Sequence, residues 1–134
     1  MAKESGLGFA VAVDDSAGAA QTISNDFTNF EFATPRGVQD VTGVDKSAME
    51  RILLLADFSF TGTLVFNDAA NKGHAVFKTV PSTSVARTVT LTHSGQSLAG
   101  ELLFTDYAVT RANDGALTAS VPGVLSDGTV PTWS

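Results

Sequence analysis

Apolar and polar positions alternate along much of this chain, and the alternation is a strand signal. From Ala56 to Asn67, Phe58, Phe60, Leu64 and Phe66 share one face with Gly62, while Ser59, Thr61 and Thr63 share the other, which predicts a half-buried strand. Arg87 to His93 repeats the pattern, with Val89 and Leu91 inward and Thr88, Thr90 and Thr92 outward, and Ser94, Gly95 and Gln96 supply a turn. Leu98 to Arg111 is a long extended run. Its alternation fails around Leu102 to Phe104, as expected for a kink or for a strand covered on both faces. Asn113, Asp114 and Gly115 then turn the chain into a further alternating stretch in which Leu117, Ala119 and Val121 face one way. Shorter strands are predicted at Val11 to Val13 and Phe27 to Phe32, on either side of a flexible stretch from Asp14 to Ala20.

Only one segment has helical spacing. Ala69, Gly73, Val76, Phe77 and Val80 fall on one side and Asn71, Lys72, His74 and Lys78 on the other, with Asn67 or Asp68 as N-cap, which predicts a helix over about residues 68–78. Gly73 weakens it by about 1 kcal/mol relative to alanine, so it depends on packing against the strands. Pro35, Gly37 and Gly43 predict a long loop over about residues 34–51. Within it, Ser47 and Glu50 have capping-box spacing ahead of Ile52 to Ala56, a run too short to choose between a helical turn and a strand.

At 134 residues the chain is expected to form one domain over 1–134, burying roughly two-thirds of its unfolded surface. The absence of cysteine excludes disulfides and thiolate metal sites. The apolar run near the start ends at Asp14, too short for a secretory signal or a membrane span, so the protein is expected to begin near Met1 and to be made in the cytoplasm. The formal charge is −6, and the eight basic residues are spread along the chain without forming a stripe. Tight sequence-specific nucleic-acid binding needs clustered Lys and Arg, so it is not expected.

Charge is densest in Asp-Val-Thr-Gly-Val-Asp-Lys-Ser-Ala-Met-Glu-Arg, residues 40–51. A lysine activating Ser47 is the sharpest catalytic reading, but adjacent side chains point apart on a helix and on a strand, which argues against it. His74 and His93 lack metal-ligand spacing, no phosphate-binding glycine motif is present, and the Asp-Gly pairs at 114–115 and 127–128 are ordinary turn chemistry. Phe58, Phe60, Phe66, Phe77 and Phe104 sit at core positions. Trp133, the penultimate residue of the sequence, is expected to anchor the tail or to dock on a neighbouring subunit. No enzyme, cofactor or metal is indicated.

Taken in order, Ser-Asn-Asp-Phe-Thr from Ser24, the charged stretch 40–51, the strand ending Phe66-Asn67-Asp68, His-Ala-Val-Phe-Lys from His74, and the closing hairpin with Asp-Gly-Thr-Val-Pro-Thr-Trp resemble the tail tube (major tail) proteins of long-tailed siphophages. The resemblance covers Ser24 to Trp133 and lies in the order of segments. It implies a mainly β fold, a β-sandwich or partial barrel of two antiparallel sheets flanked by one helix. It also implies six-copy rings stacked into a hollow virion tail, assembled in the host cytoplasm, with DNA passing through in transit and no membrane partner. Tape measure, tail terminator and distal tail proteins are the further partners it implies. Carried onto this sequence, the loop that reaches an adjacent ring supplies Arg36, Asp40, Asp45, Lys46, Glu50 and Arg51 as inter-ring candidates. Glu31, Glu101, Asp106 and Asp114 are candidates for an acidic lumen, chosen for lying on or beside predicted strands. A head decoration or head-tail joining subunit is the runner-up, followed by a carbohydrate- or receptor-binding module.

Overall fold

Period-two segments fold as strands wherever one set of alternate side chains can be buried, and here most of them share a single curled sheet. A computed structural model describes residues 3–134. Its elements are β1 (Ala10–Asp14), β2 (Ala20–Thr22), β3 (Phe27–Ala33), β4 (Arg36–Asp40), β5 (Arg51–Ala56), β6 (Ser59–Val65), α1 (Gly73–Phe77), β7 (Arg87–His93), β8 (Gln96–Phe104), β9 (Ala108–Arg111) and β10 (Leu117–Leu125). Seven strands follow the order β2-β1-β7-β8-β10-β6-β3, all neighbours antiparallel, and β9 joins as an eighth strand beside β10. Along one side of β10, β9 pairs with Leu117 to Ser120 and β8 with Gly123 to Leu125. The second sheet is the hairpin β4–β5.

Curling brings the two ends of the strand order together. Phe9, just before β1, places its ring 5.1 Å from Phe30 and 6.1 Å from Phe32 of β3. No ladder joins β2 to β3, so the barrel stays partial, one of the two forms the resemblance implies. Inside lie Val11 and Val13 of β1, Phe60 and Leu64 of β6, Val89 and Leu91 of β7, Leu98 and Leu102 of β8, and Ala119 and Val121 of β10. Their alternate neighbours, Thr, Ser and Ala for the most part, cover the outward face. Ser94 and Gly95 both have positive φ, 51° and 79°, which is the two-residue turn that matches the twist of the β7–β8 hairpin.

Several expectations need correction. The helix is one short turn, Gly73–Phe77, rather than 68–78, because Asn71 adopts a left-handed φ of 61° and breaks the run before it. Asn67 and Asp68 are therefore not its N-cap. That role falls to a buried carboxylate from elsewhere in the chain: Asp26 accepts the Gly73 backbone N–H at 2.9 Å and the Asn67 side-chain amide at 2.8 Å. A Cβ at Gly73 would lie 2.6 Å from Leu64 Cδ1 and 3.2 Å from Asp26 Oδ2, so any larger residue requires the buried Leu64 side chain to shift. Phe66 is half-buried and packs on the His74 ring, 4.5 Å between centroids, outside the core that holds Phe58, Phe60, Phe77 and Phe104. Leu102 to Phe104 in fact alternates, with Leu103 exposed, and the break falls just after, between β8 and β9.

At the other end of α1 sits Arg87, almost completely buried. Its guanidinium donates to the Val76 carbonyl at 2.7 Å, the Asp14 carbonyl at 3.2 Å and Thr79 Oγ1 at 2.9 Å, tying helix, β1 and the segment after the helix to β7. Burial lowers its pKa, and the nearby Asp15 and Asp14 oppose that shift. Among the described residues no buried side-chain nitrogen or oxygen lacks a hydrogen-bond partner.

Candidate self-assembly interface

The stretch read as a long loop over 34–51 is half of a hairpin. β3 runs into β4 through Thr34 and Pro35, and β5 runs into β6 through Asp57 and Phe58, with the Asp57 N–H donating to the Pro35 carbonyl at 2.9 Å. The β3–β6 ladder therefore continues into β4–β5 as one ribbon, whose outer half pairs with no other strand among the described residues. Only residues 41–50 remain as loop. The run Ile52 to Ala56 is strand, so Ser47 and Glu50 cap no helix.

Both faces of the ribbon's outer half carry exposed apolar side chains, beside Arg36, Asp40 and Arg51 on one and Gln39 on the other. Val38 stands opposite Leu53 on one face and Gln39 opposite Ile52 on the other, and a bulge in β5 places Leu54 and Leu55 against Gly37. Val38 is 57 % exposed, Ile52 48 %, Leu53 58 % and Leu55 93 %. Val44 and Met49 add exposed apolar surface in the loop. A solitary two-stranded hairpin is marginal in water, and this one presents to water the residue types that usually form cores.

Two of the charged candidates stabilise the hairpin itself. Arg36 donates Nε and Nη2 to the Leu54 carbonyl at 3.2 and 3.0 Å, bridging the bulge. Asp40 Oδ1 accepts the Thr42 N–H at 2.9 Å and its hydroxyl at 2.6 Å, and Thr42 Oγ1 accepts the Glu50 N–H at 2.8 Å, so the base of the loop is clasped. The side chains of Asp45, Lys46, Glu50 and Arg51 are exposed and have no hydrogen-bond partner among the described residues. What sequence reasoning missed is the apolar surface. The available signal was four consecutive large apolar residues, Ile52 to Leu55, following a charged turn.

Thr42 holds the Asp40 carboxyl below its ordinary value of 3.8 through the side-chain hydrogen bond first and the backbone one second. A depressed carboxylate stabilises the fold above its unfolded pKa and loses that contribution as pH falls through the folded value. The clasp is therefore expected to be intact above that ordinary value and to open only in stronger acid. The Thr42 amide resonance should titrate below 3.8 and stop titrating in Asp40→Asn. A midpoint at or above the ordinary value would remove the clasp.

The acidic candidates fall into two groups. Glu31 on β3 and Glu101 on β8 both lie on the outward face of the large sheet, where Glu101 accepts the Thr88 hydroxyl. Asp106 and Asp114 sit in turns, accepting the N–H groups of Tyr107 at 2.8 Å and Ala116 at 3.1 Å. At the other extreme of the chain Ser134 exchanges two backbone hydrogen bonds with Ser97 of β8, at 2.9 and 3.0 Å. Beside it the half-exposed Trp133 ring lies 5.9 Å from Phe32. No group of three or more His, Cys, Asp or Glu with metal-binding geometry occurs among the described residues, and no helix there is long and apolar enough to cross a membrane.

No protein-family model matches the sequence, and no curated protein matches it. Solved structures do match the fold. A chain of the virion of a native gene transfer agent (GTA) particle superposes with a TM-score of 0.78 at 14 % identity, covering 98 % of this chain and 99 % of that one. A chain of the tail of an empty GTA particle, obtained by helical refinement with C6 symmetry, superposes at 0.74 with 17 % identity and the same coverage. This chain thus has, over nearly its whole length, the fold of a subunit from a C6-symmetric tail.

Proposed function

We propose that this chain is a structural, non-enzymatic subunit of a phage-like tail tube, polymerising as stacked six-copy rings around a lumen that conducts DNA. The observation that carries this reading is the β4–β5 hairpin, whose exposed apolar side chains lie on strands that pair with no other strand among the described residues and are covered in this reading by another copy. The likeness to a chain of a C6-symmetric tail supports the ring number. In this reading the hairpin reaches the adjacent ring, with Asp45, Lys46, Glu50 and Arg51 setting its register by charge and Arg36 and Asp40 keeping its shape. Glu31 and Glu101, with Asp106 and Asp114 as the turn-borne candidates, give the lumen a negative lining along which phosphate slides instead of binding. Trp133 fixes the tail against Phe32. Tape measure protein inside the tube and terminator and distal tail proteins at its ends complete the assembly, in the virion tail and, before that, in the host cytoplasm.

Negative-stain microscopy of the purified protein tests this directly: hollow tubes or stacked rings are expected, and persistent monomers at high concentration would overturn it. The charge component has its own test. Lys46→Glu combined with Arg51→Glu should shorten or abolish the tubes, and tubes of unchanged length and yield would take those two residues out of the ring contact.

A further inference from the structure

We infer that the β4–β5 hairpin is wedged between two other copies of this chain, one against each face, rather than laid on a single neighbour. This rests on the tail-tube reading and goes further by fixing how many partners one hairpin has. A strand carries successive side chains on opposite faces, so Ile52 and Leu53, adjacent in a regular part of the ladder, point opposite ways. Each has an apolar or uncharged companion across the hairpin. Val38 flanks Leu53, and Gln39 flanks Ile52 with Leu54 beyond it. A hairpin laid on one partner leaves its other face wet and is polar there, as the large sheet is on its outward face with Thr61, Thr63, Thr88 and Thr90. Here each face carries exposed large apolar side chains, Val38 and Leu53 on one beside Arg36, Asp40 and Arg51, and Ile52 and Leu54 on the other beside Gln39. The described residues leave both faces open to water, with Leu53 58 % and Ile52 48 % exposed.

Charge points to copies of this chain as the occupants. The protein carries −6, so bringing copies together is opposed by self-repulsion. Between residues 36 and 51, however, Arg36, Lys46 and Arg51 balance Asp40, Asp45 and Glu50, and the whole of the net charge resides elsewhere. The hairpin is thus the segment that can be enclosed by two acidic sister subunits without adding to their repulsion. Its Lys46 and Arg51 also supply cations that those subunits are short of.

The chain has no cysteine, which makes single thiols clean reporters of each face. Ile52→Cys and Leu53→Cys are prepared separately, and each is doped at about one part in ten into unsubstituted protein so that neither substitution has to support a tube alone. Reactivity toward a maleimide is compared before and after polymerisation. Both thiols react freely in the unassembled protein, and both are expected to slow by roughly tenfold or more in tubes. Gln39→Cys and Val38→Cys repeat the comparison from β4, in case a β5 variant is excluded from the polymer. Protection of one face with the other as reactive as in the free subunit overturns two-sided docking and leaves the tail-tube reading standing. Failure of the unsubstituted protein to polymerise overturns that reading, and this inference with it.

Discussion

Leu53→Asp is expected to abolish polymerisation while leaving the free subunit's unfolding free energy within about 0.5 kcal/mol of the parent, as befits an exposed position. In the isolated chain Leu53 touches mainly water, so a carboxylate there costs little. In a polymer that covers this face, the substitution removes the transfer energy of a leucine side chain, about 1.5–3 kcal/mol, and adds the cost of enclosing a charge. Three kcal/mol at one contact weakens it by more than roughly a hundredfold, and a tube repeats that contact at every subunit. Sedimentation and calorimetry on the same sample separate the two effects. A variant that still forms tubes at the parent's threshold concentration would show the hairpin to be outside the contact, whereas one that melts well below the parent would place Leu53 in the fold of the monomer.

Arg87→Met should act in the opposite sense, on the subunit itself. The methionine fills similar volume and removes a buried charge, which by itself is no loss. It also orphans the Val76 and Asp14 carbonyls and the Thr79 hydroxyl, three acceptors held by one guanidinium. Leaving buried acceptors unpaired costs about 1–3 kcal/mol each when no water can reach them, and part of this site is reachable, so a net loss of about 3 kcal/mol is expected. For a chain of this length that lowers the melting temperature by roughly 10 °C. Arg87→Lys should recover only part of it, because a point charge cannot reach all three acceptors in a fixed fork. A change of less than 0.5 kcal/mol in Arg87→Met, on the scale of an ordinary surface substitution, would mean that the helix is held by other contacts.

Strands with one buried face are the part of this fold that can be read in the sequence, and β6 and β7 show why: the core sits on one side of each and imposes the period of two. The β7–β8 turn is equally legible, since Ser-Gly is a turn dipeptide and Gly95 takes positive φ without steric cost. The hairpin is not legible for the same reason. Its apolar residues answer to surfaces that belong to no part of this chain, so Ile52 to Leu55 carry no alternation, and Pro35 with two glycines suggests a loop. Asp26 and Arg87 were invisible for a different reason. Each caps one end of a helix remote in sequence, across 47 residues in the case of Asp26 and Gly73, and nothing in the local spacing announces such a partner. The short helix is intermediate: its spacing is visible, but its start is set by the left-handed Asn71 and by Asp26.

The continuity of the hairpin with β3 and β6 also has a mechanical side. A pull on the hairpin tip along the ribbon draws β3 and β6 together in one direction, and β6 is laddered to β10 from Val65 to Ser59. The hydrogen bonds of that ladder run across the strands, so they meet such a load side by side and share it, instead of opening one after another from an end. A filament whose rings grip one another through this ribbon would be stiff against stretching along its axis. It would yield more readily to a force that peels β3 sideways from the open edge, where a single ladder holds it.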